Sequence, residues 1–190
     1  HEPGPIRPFA LVHPGLVQDA GYDAVAQTQY YLGDNLLVAP VVDAKPGREV
    51  LLPPGQWLDW WTHKPVAGDP AASRRLQLTV PLDRIPLWLR AGGLVAILRP
   101  TIDTLAPATI PGVDSFANEV GPLHVIVGPG ASGEAAVYDG STLRLVDGPD
   151  AAALTVQIEP GTEFTQGSEL EVWMAAPAAV QVDGKATEQG

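Results

Sequence analysis

Pro and Gly punctuate this chain so closely that short strands are what fits between them. The sequence holds 20 of each, together about a fifth of the chain against a usual share of roughly an eighth. The stretch Gln29–Thr62 shows the consequence. Leu36-Leu37-Val38-Ala39-Pro40-Val41-Val42 is an apolar run bounded by Gly33-Asp34-Asn35 and by Asp43-Ala44-Lys45-Pro46-Gly47, the pattern of a buried strand and its turn. Arg48–Leu52 returns. Pro53-Pro54-Gly55 turns again, because proline fixes φ and removes a donor while glycine accepts φ > 0. Gln56–Thr62 then supplies a third, aromatic strand, so the stretch reads as a β-meander.

Period two in the aromatic strand puts Trp57, Asp59 and Trp61 on one face and Leu58 and Trp60 on the other. Both faces are therefore apolar. One is expected to form a core, and the other needs a neighbouring domain or stays open as a patch. Leu76, Leu78 and Val80 alternate with Gln77 and Thr79 as a half-exposed strand does, and Pro81–Arg90 continues into another. Ala91-Gly92-Gly93 makes a turn or bulge before Leu94–Leu98, which is expected to close the first unit. Arg99–Pro122 has no clear period and reads as a long connection. Beyond it come short strands at Leu123–Val127, Glu134–Tyr138, Ser141–Val146, Ala152–Glu159, Glu169–Met174 and Val180–Val182. Turns at 128–130, Asp139-Gly140, Asp147-Gly148, 159–161 and Asp183-Gly184 separate them, and Asp-Gly between apolar runs is a strong hairpin signal.

Three motifs in order carry a family resemblance: Gly33-Asp34-Asn35-Leu36-Leu37-Val38-Ala39-Pro40-Val41, then Leu52-Pro53-Pro54-Gly55-Gln56-Trp57-Leu58-Asp59-Trp60-Trp61-Thr62, then Val80–Gly93. They resemble the C-terminal part of a glycoside hydrolase family 31 enzyme, the α-glucosidase and α-xylosidase family. His1-Glu2-Pro3-Gly4-Pro5-Ile6-Arg7-Pro8-Phe9 is similar to the segment entering the last strand of that family's catalytic (β/α)8 barrel. The match covers residues 1 to about 100. Beyond that, Val137-Tyr138-Asp139-Gly140-Ser141 keeps one acid where the family's distal domain usually has two.

The expected fold is all-β: two small antiparallel β-sandwiches in tandem, preceded by the last strand of a truncated (β/α)8 barrel. The resemblance implies the barrel end at residues 1–20, a proximal sandwich at 21–105, a linker at 106–122 and a distal sandwich at 123–190. Pro5–Val12 would be the last barrel strand, and Arg7 on it would need a carboxylate from a part of the enzyme outside this chain. Gly15–Ala26, polar and turn-rich, would cross from barrel to sandwich.

A net charge of −11 with only 11 Lys and Arg argues against nucleic acid as a partner. The chain has no cysteine, so disulfides, thiolate metal sites and a cysteine nucleophile are excluded, while the compartment stays open. No apolar run approaches the ~20 residues of a membrane-spanning helix. The chain starts at His1 and its one methionine is Met174, which is expected of a fragment or processed piece.

Retaining glycosidases need two carboxyl groups ~5–5.5 Å apart. The resemblance places both, as aspartates, upstream of residue 1, so no catalytic residue is expected here. Asp34, Asp59, Asp83 and Asp139 are the nearest candidates, and turn or strand positions account for each. Asp83 and Arg84 point to opposite faces of an extended chain and need separate partners. His1, His13, His63 and His124 have no paired spacing, so neither a metal nor another cofactor is expected. Gly128-Pro129-Gly130 lacks the lysine and helix of a phosphate loop. Ser132 and Ser141 lack a nucleophile elbow. The functional expectation is an accessory part of a retaining α-glycosidase acting on α-linked glucosyl or xylosyl residues, partnered by its catalytic barrel and meeting carbohydrate through it. The alternative is a free-standing carbohydrate-binding β-sandwich using Trp57, Trp60, Trp61 or Trp88 as stacking residues.

Overall fold

A computed structural model describes residues 5–19, 24–42, 47–81, 83–130, 132–147, 153–175, 177 and 179–187. The described residues are mostly strand, with three short helices. In order these are β1 (Ile6–Pro8), α1 (Phe9–Val12), α2 (Pro14–Asp19), α3 (Ala24–Gln27), β2 (Tyr30–Leu32), β3 (Leu36–Val38), β4 (Gly47–Leu52), β5 (Trp57–Asp59), β6 (Arg74–Thr79), β7 (Leu87–Arg90) and β8 (Leu94–Ile97). They continue as β9 (Leu123–Val127), β10 (Gly133–Ala136), β11 (Thr142–Asp147), β12 (Leu154–Glu159), β13 (Ser168–Val172), β14 (Val180–Val182) and β15 (Lys185–Thr187). The expected turns at 43–46 and around Gly148, together with His1, lie outside the described residues.

The Gln29–Thr62 stretch is not a meander. The first sheet has the order β1-β2-β3-β7-β5, while β4 pairs with β6 in a separate two-stranded sheet. β3 is buried at all three positions and hydrogen-bonds β2 on one edge and β7 on the other. No edge of β3 remains for β4, which instead covers one face of the sheet. Val50, Leu51 and Leu52 of β4 then pack with Phe9, Tyr31, Leu37, Trp57 and Trp88 in the first core. Alternation does hold in β6, whose residues are half-buried and exposed in turn from Arg74 to Thr79.

The segment expected to be a strand over Pro5–Val12 is strand only to Pro8. Proline has no N–H to extend the ladder, and the next residues form a helical turn that drops the Phe9 ring, 0% exposed, into the first core. The crossing that follows is partly helical, through α2 and α3. Arg7 finds its carboxylate inside this chain: Nη2 donates to Asp34 Oδ1 at 2.6 Å and to the Gly33 carbonyl at 2.9 Å. Its guanidinium also lies 5.7 Å from the Tyr31 ring centroid.

β8 does not close the first unit. It pairs antiparallel with β9, in a sheet of order β13-β9-β8 that faces a second sheet of order β10-β11-β12. Leu94, Leu123, Val125, Val127, Leu143, Leu145 and Phe164 form the core between them. One pairing departs from the expected antiparallel pattern, since β13 runs parallel to β9, Ser168 opposite Leu123 through Val172 opposite Val127. The intervening strands β10 to β12 lie in the facing sheet and supply the long crossover that a parallel pair needs. The connection over 98–122 holds no strand or helix, yet Arg99 ties it down by bonding the Asp114 carboxylate and the carbonyls of Glu119 (2.7 Å) and Val120 (2.6 Å). That pairing holds the Asp114 carboxyl below its ordinary pKa, with help from the Thr101 hydroxyl.

The two halves meet across a third cluster. Cross-strand register places Ile6, Leu32, Leu36, Leu89 and Leu58 in one apolar row across the first sheet, all on the face opposite Trp57. Leu36, Leu58 and Leu89 of that row are buried against Ile126 and Trp173 of the second half. Gly128 sits in this seam, where a Cβ would lie 2.9 Å from both the Leu58 and Leu89 side chains. The second apolar face of the aromatic strand is thus covered by the chain's own second half.

Candidate functional site

The end of β5 builds one wall of a cleft at the seam. Asp59 Oδ1 accepts hydrogen bonds from the Trp61 N–H (3.1 Å), the Thr62 N–H (2.8 Å) and the Thr62 hydroxyl (2.9 Å), the local pattern by which aspartate stops a strand and starts a turn. The turn closes when the His63 N–H reaches the Asp59 carbonyl at 2.8 Å. His63 is left with φ 57°, a left-handed conformation that costs a non-glycine residue about 1 kcal/mol or more. That backbone lays the imidazole flat on the Trp173 indole, with centroids 4.2 Å apart and planes within 6°.

Trp173 follows β13 and is 6% exposed. Its N–H bonds the Val127 carbonyl at 3.1 Å, its indole Nε1–H donates to Glu171 Oε1 at 2.8 Å, and Trp60 meets it edge-on at 5.0 Å. The ring is therefore fixed on several sides. Glu171 Oε2 lies 3.5 Å from His124 Nε2 of the adjacent strand. Between these walls is a cleft of about 590 Å³, lined by Gln56, His63, Pro65, Gly130, Glu171, Trp173 and Met174 among others. It combines apolar walls with an amide, an imidazole and a carboxylate.

The residues singled out in the sequence fall elsewhere or into structural roles. Asp34 pairs with Arg7 and Asp59 caps its turn. Asp83 is exposed, and Arg84 lies 5.3 Å from the Trp61 ring centroid. Asp139, 8% exposed, accepts from the Ser141 N–H (2.9 Å) and hydroxyl (3.0 Å) and from the N–H groups of Glu163 (3.2 Å) and Phe164 (3.5 Å). Burial alone would raise its pKa, but these donors outweigh it and leave the carboxyl below its ordinary value. His13 Nε2 meets the Tyr31 hydroxyl at 2.8 Å, and burial followed by the Arg90 charge lowers its pKa. Burial pushes Tyr31 up to about 12, against the opposing charges of Arg90 and Arg7. Among the described histidines, His63 and His124 come near one another's surroundings, through Trp173 and Glu171. Among the described residues no three His, Cys, Asp or Glu side chains are grouped to hold a metal ion, and no helix is long and apolar enough to cross a membrane.

Trp57 and Trp88 are 1% and 2% exposed and serve the first core. Trp60 packs against the third cluster. Trp61 is exposed, but its indole N–H donates to the Ile85 carbonyl at 2.8 Å and Arg84 covers its ring. Sequence reasoning missed Gln56, Glu171 and Trp173 as neighbours of His63. Period two over Glu169, Glu171 and Trp173 placed them on one face and was the available signal; the seam that brings His63 to them was not visible.

The fold defines a mostly β protein built of layered sheets. Comparison gives the family. Residues 3–95 match the glycosyl hydrolase family 31 C-terminal domain, and it is this segment that is similar to the C-terminal region of that family. An α-glucosidase of Mucor javanicus is 29% identical over 98 residues, covering 50% of this chain and 11% of the relative. An α-xylosidase of Saccharolobus solfataricus is 32% identical over 77 residues, covering 40% of this chain and 10% of the relative. The chain thus spans about a tenth of the length of these curated relatives. The solved structure of a cycloalternan-forming enzyme from Listeria monocytogenes, in complex with a pentasaccharide substrate, shares the fold over 96% of this chain and 16% of that one. Its TM-score is 0.69 at 21% identity.

Proposed function

We propose that this chain is the C-terminal accessory part of a retaining α-glycosidase acting on α-linked glucosyl or xylosyl residues, and that it supports the catalytic barrel without supplying catalytic carboxylates. On this reading the two halves are tandem β-sandwiches, β1 is the continuation of the barrel's last strand, and β8 goes with the distal unit. The observation that carries it is the apolar row across the first sheet. Its inner members, Leu36, Leu89 and Leu58, are covered by the second half, but the row runs on to Leu32, 43% exposed, and Ile6, 61% exposed, at the outer edge. Leu11 of α1, and Val41 and Val42 in the loop after β3, are exposed as well. An apolar surface continuing from a buried one marks a contact with another body, and the relatives' greater length supplies a candidate in the parent barrel.

The carboxylates fit a supporting role. Asp59 and Asp139 already accept the hydrogen bonds of their own turns, and Asp34 that of Arg7, which a catalytic acid or nucleophile would have to share with substrate. The free-standing carbohydrate-binding alternative needs a row of aromatic faces open to solvent, and Trp57, Trp60 and Trp88 do not offer it. The test is made in the full-length enzyme. Leu32→Asp, which buries a charge if the patch is covered, is expected to lower the melting temperature while leaving KM for an α-glucoside or α-xyloside within about twofold. Unchanged melting would mean the patch faces water and would overturn the reading.

A further inference from the structure

We infer that the seam cleft between the two halves binds a short neutral oligosaccharide. Its volume of about 590 Å³ lies inside the range of ~300–1,000 Å³ common for small-molecule sites, which form preferentially where two units meet. Each half contributes. Gln56 and His63 come from the ends of β5, while Glu171 and Trp173 come from β13 and the residue following it.

The chemistry of the lining selects the ligand. Pro65, Trp173 and Met174 provide apolar walls, and the outer face of the His63 imidazole, held flat on Trp173, is exposed. Such surfaces suit a ring that has C–H faces and carries its polarity at the rim. Gln56 is exposed and brings both a donor and an acceptor. Glu171 uses Oε1 for the Trp173 indole and retains further lone pairs on both oxygens for hydroxyl donors. No lysine or arginine lines the cleft, so a phosphorylated or carboxylated ligand would meet Glu171 without a compensating cation. A polyhydroxylated neutral ring satisfies every one of these groups.

The walls are also held in advance. Asp59 fixes the turn that carries His63, and the left-handed φ of His63 is a local strain retained at the cleft rim. Trp173 is fixed by Glu171, Trp60 and His63 together, so little ordering remains to be done on binding. Asp59, a turn cap in the fold, thereby acts as a positioning residue for the cleft.

The probe is maltotriose, titrated into the 190-residue chain while the Trp173 indole N–H resonance is followed by NMR. Saturable movement of that resonance is expected, with a millimolar-range affinity weakened about fivefold or more in Gln56→Ala and in Glu171→Gln. Melting of both variants is read in parallel, and both are expected to stay folded because the altered side chains are exposed or half-exposed. A Trp173 signal unmoved at ~50 mM sugar, or wild-type affinity in both folded variants, overturns the proposal. The measurement needs no catalysis, so it can fail while the accessory role stands, and the reverse.

Discussion

Trp173→Ala probes the seam more sharply than any other single change. The indole is 6% exposed, and it packs on Trp60 and His63 within the cluster that also holds Leu36, Leu58, Leu89 and Ile126. A tryptophan buries ~150–250 Å², and at about 25 cal/mol per Å² its removal forfeits roughly 4–6 kcal/mol. A denatured chain that already buries part of that surface reduces the figure, so a loss of about 3–5 kcal/mol is expected, in line with other Trp truncations in cores. Urea unfolding followed by far-UV circular dichroism reads the total. Hydrogen exchange reads its distribution: because the ring belongs to the second half but packs on the first, amide protection should fall in β3 and β7 as well as in β9. A loss under about 1 kcal/mol, or reduced protection confined to the second half, would refute the claim that the seam couples the two.

Other consequences are smaller or conditional on pH. Arg7→Ala removes a partly exposed ion pair with Asp34, whose side chain is 75% exposed, so urea unfolding should show a loss of about 1 kcal/mol or less. Asp139 has its folded pKa held below the ordinary carboxylate value; its contribution is present above ~4 and is lost as pH falls through the folded pKa. Acid titration of stability should therefore show a declining limb that flattens in Asp139→Asn. Tyr31 is raised to about 12, so its contribution is full below ~10 and is lost as pH rises toward the folded value. Absorbance at alkaline pH should show a tyrosine titrating toward about 12 that is missing in Tyr31→Phe.

The strands of the second half were legible because short apolar runs and Asp-Gly turns leave few other readings. Leu123–Val127 and Val180–Val182 fall where the pattern placed them, and at the turn between β14 and β15 both Asp183 and Gly184 have positive φ, as a tight two-residue turn demands. The two faces of β5 were legible too, Trp57 toward one core and Leu58 toward another. Pairing was not. Period two tells which side of a strand is buried, not which strand lies beside it, so β4 was given to β3 and β8 to the first half. The parallel β13–β9 pair depends on a crossover through the facing sheet, which no local signal encodes. The cleft was hidden for the same reason, since His63 and Trp173 are brought together by packing between halves. Arg7 and Asp34 became partners through the β1–β2–β3 register, which the reading of a barrel strand did not include.

The central claim, an accessory part without its own catalytic carboxylates, is tested most directly by sizing the purified chain under native conditions and assaying the same fractions on a chromogenic α-glucoside and α-xyloside. The account predicts that a species of 20.0 kDa hydrolyses neither substrate. Hydrolysis that co-elutes with that species would place a catalytic pair inside these 190 residues and contradict it.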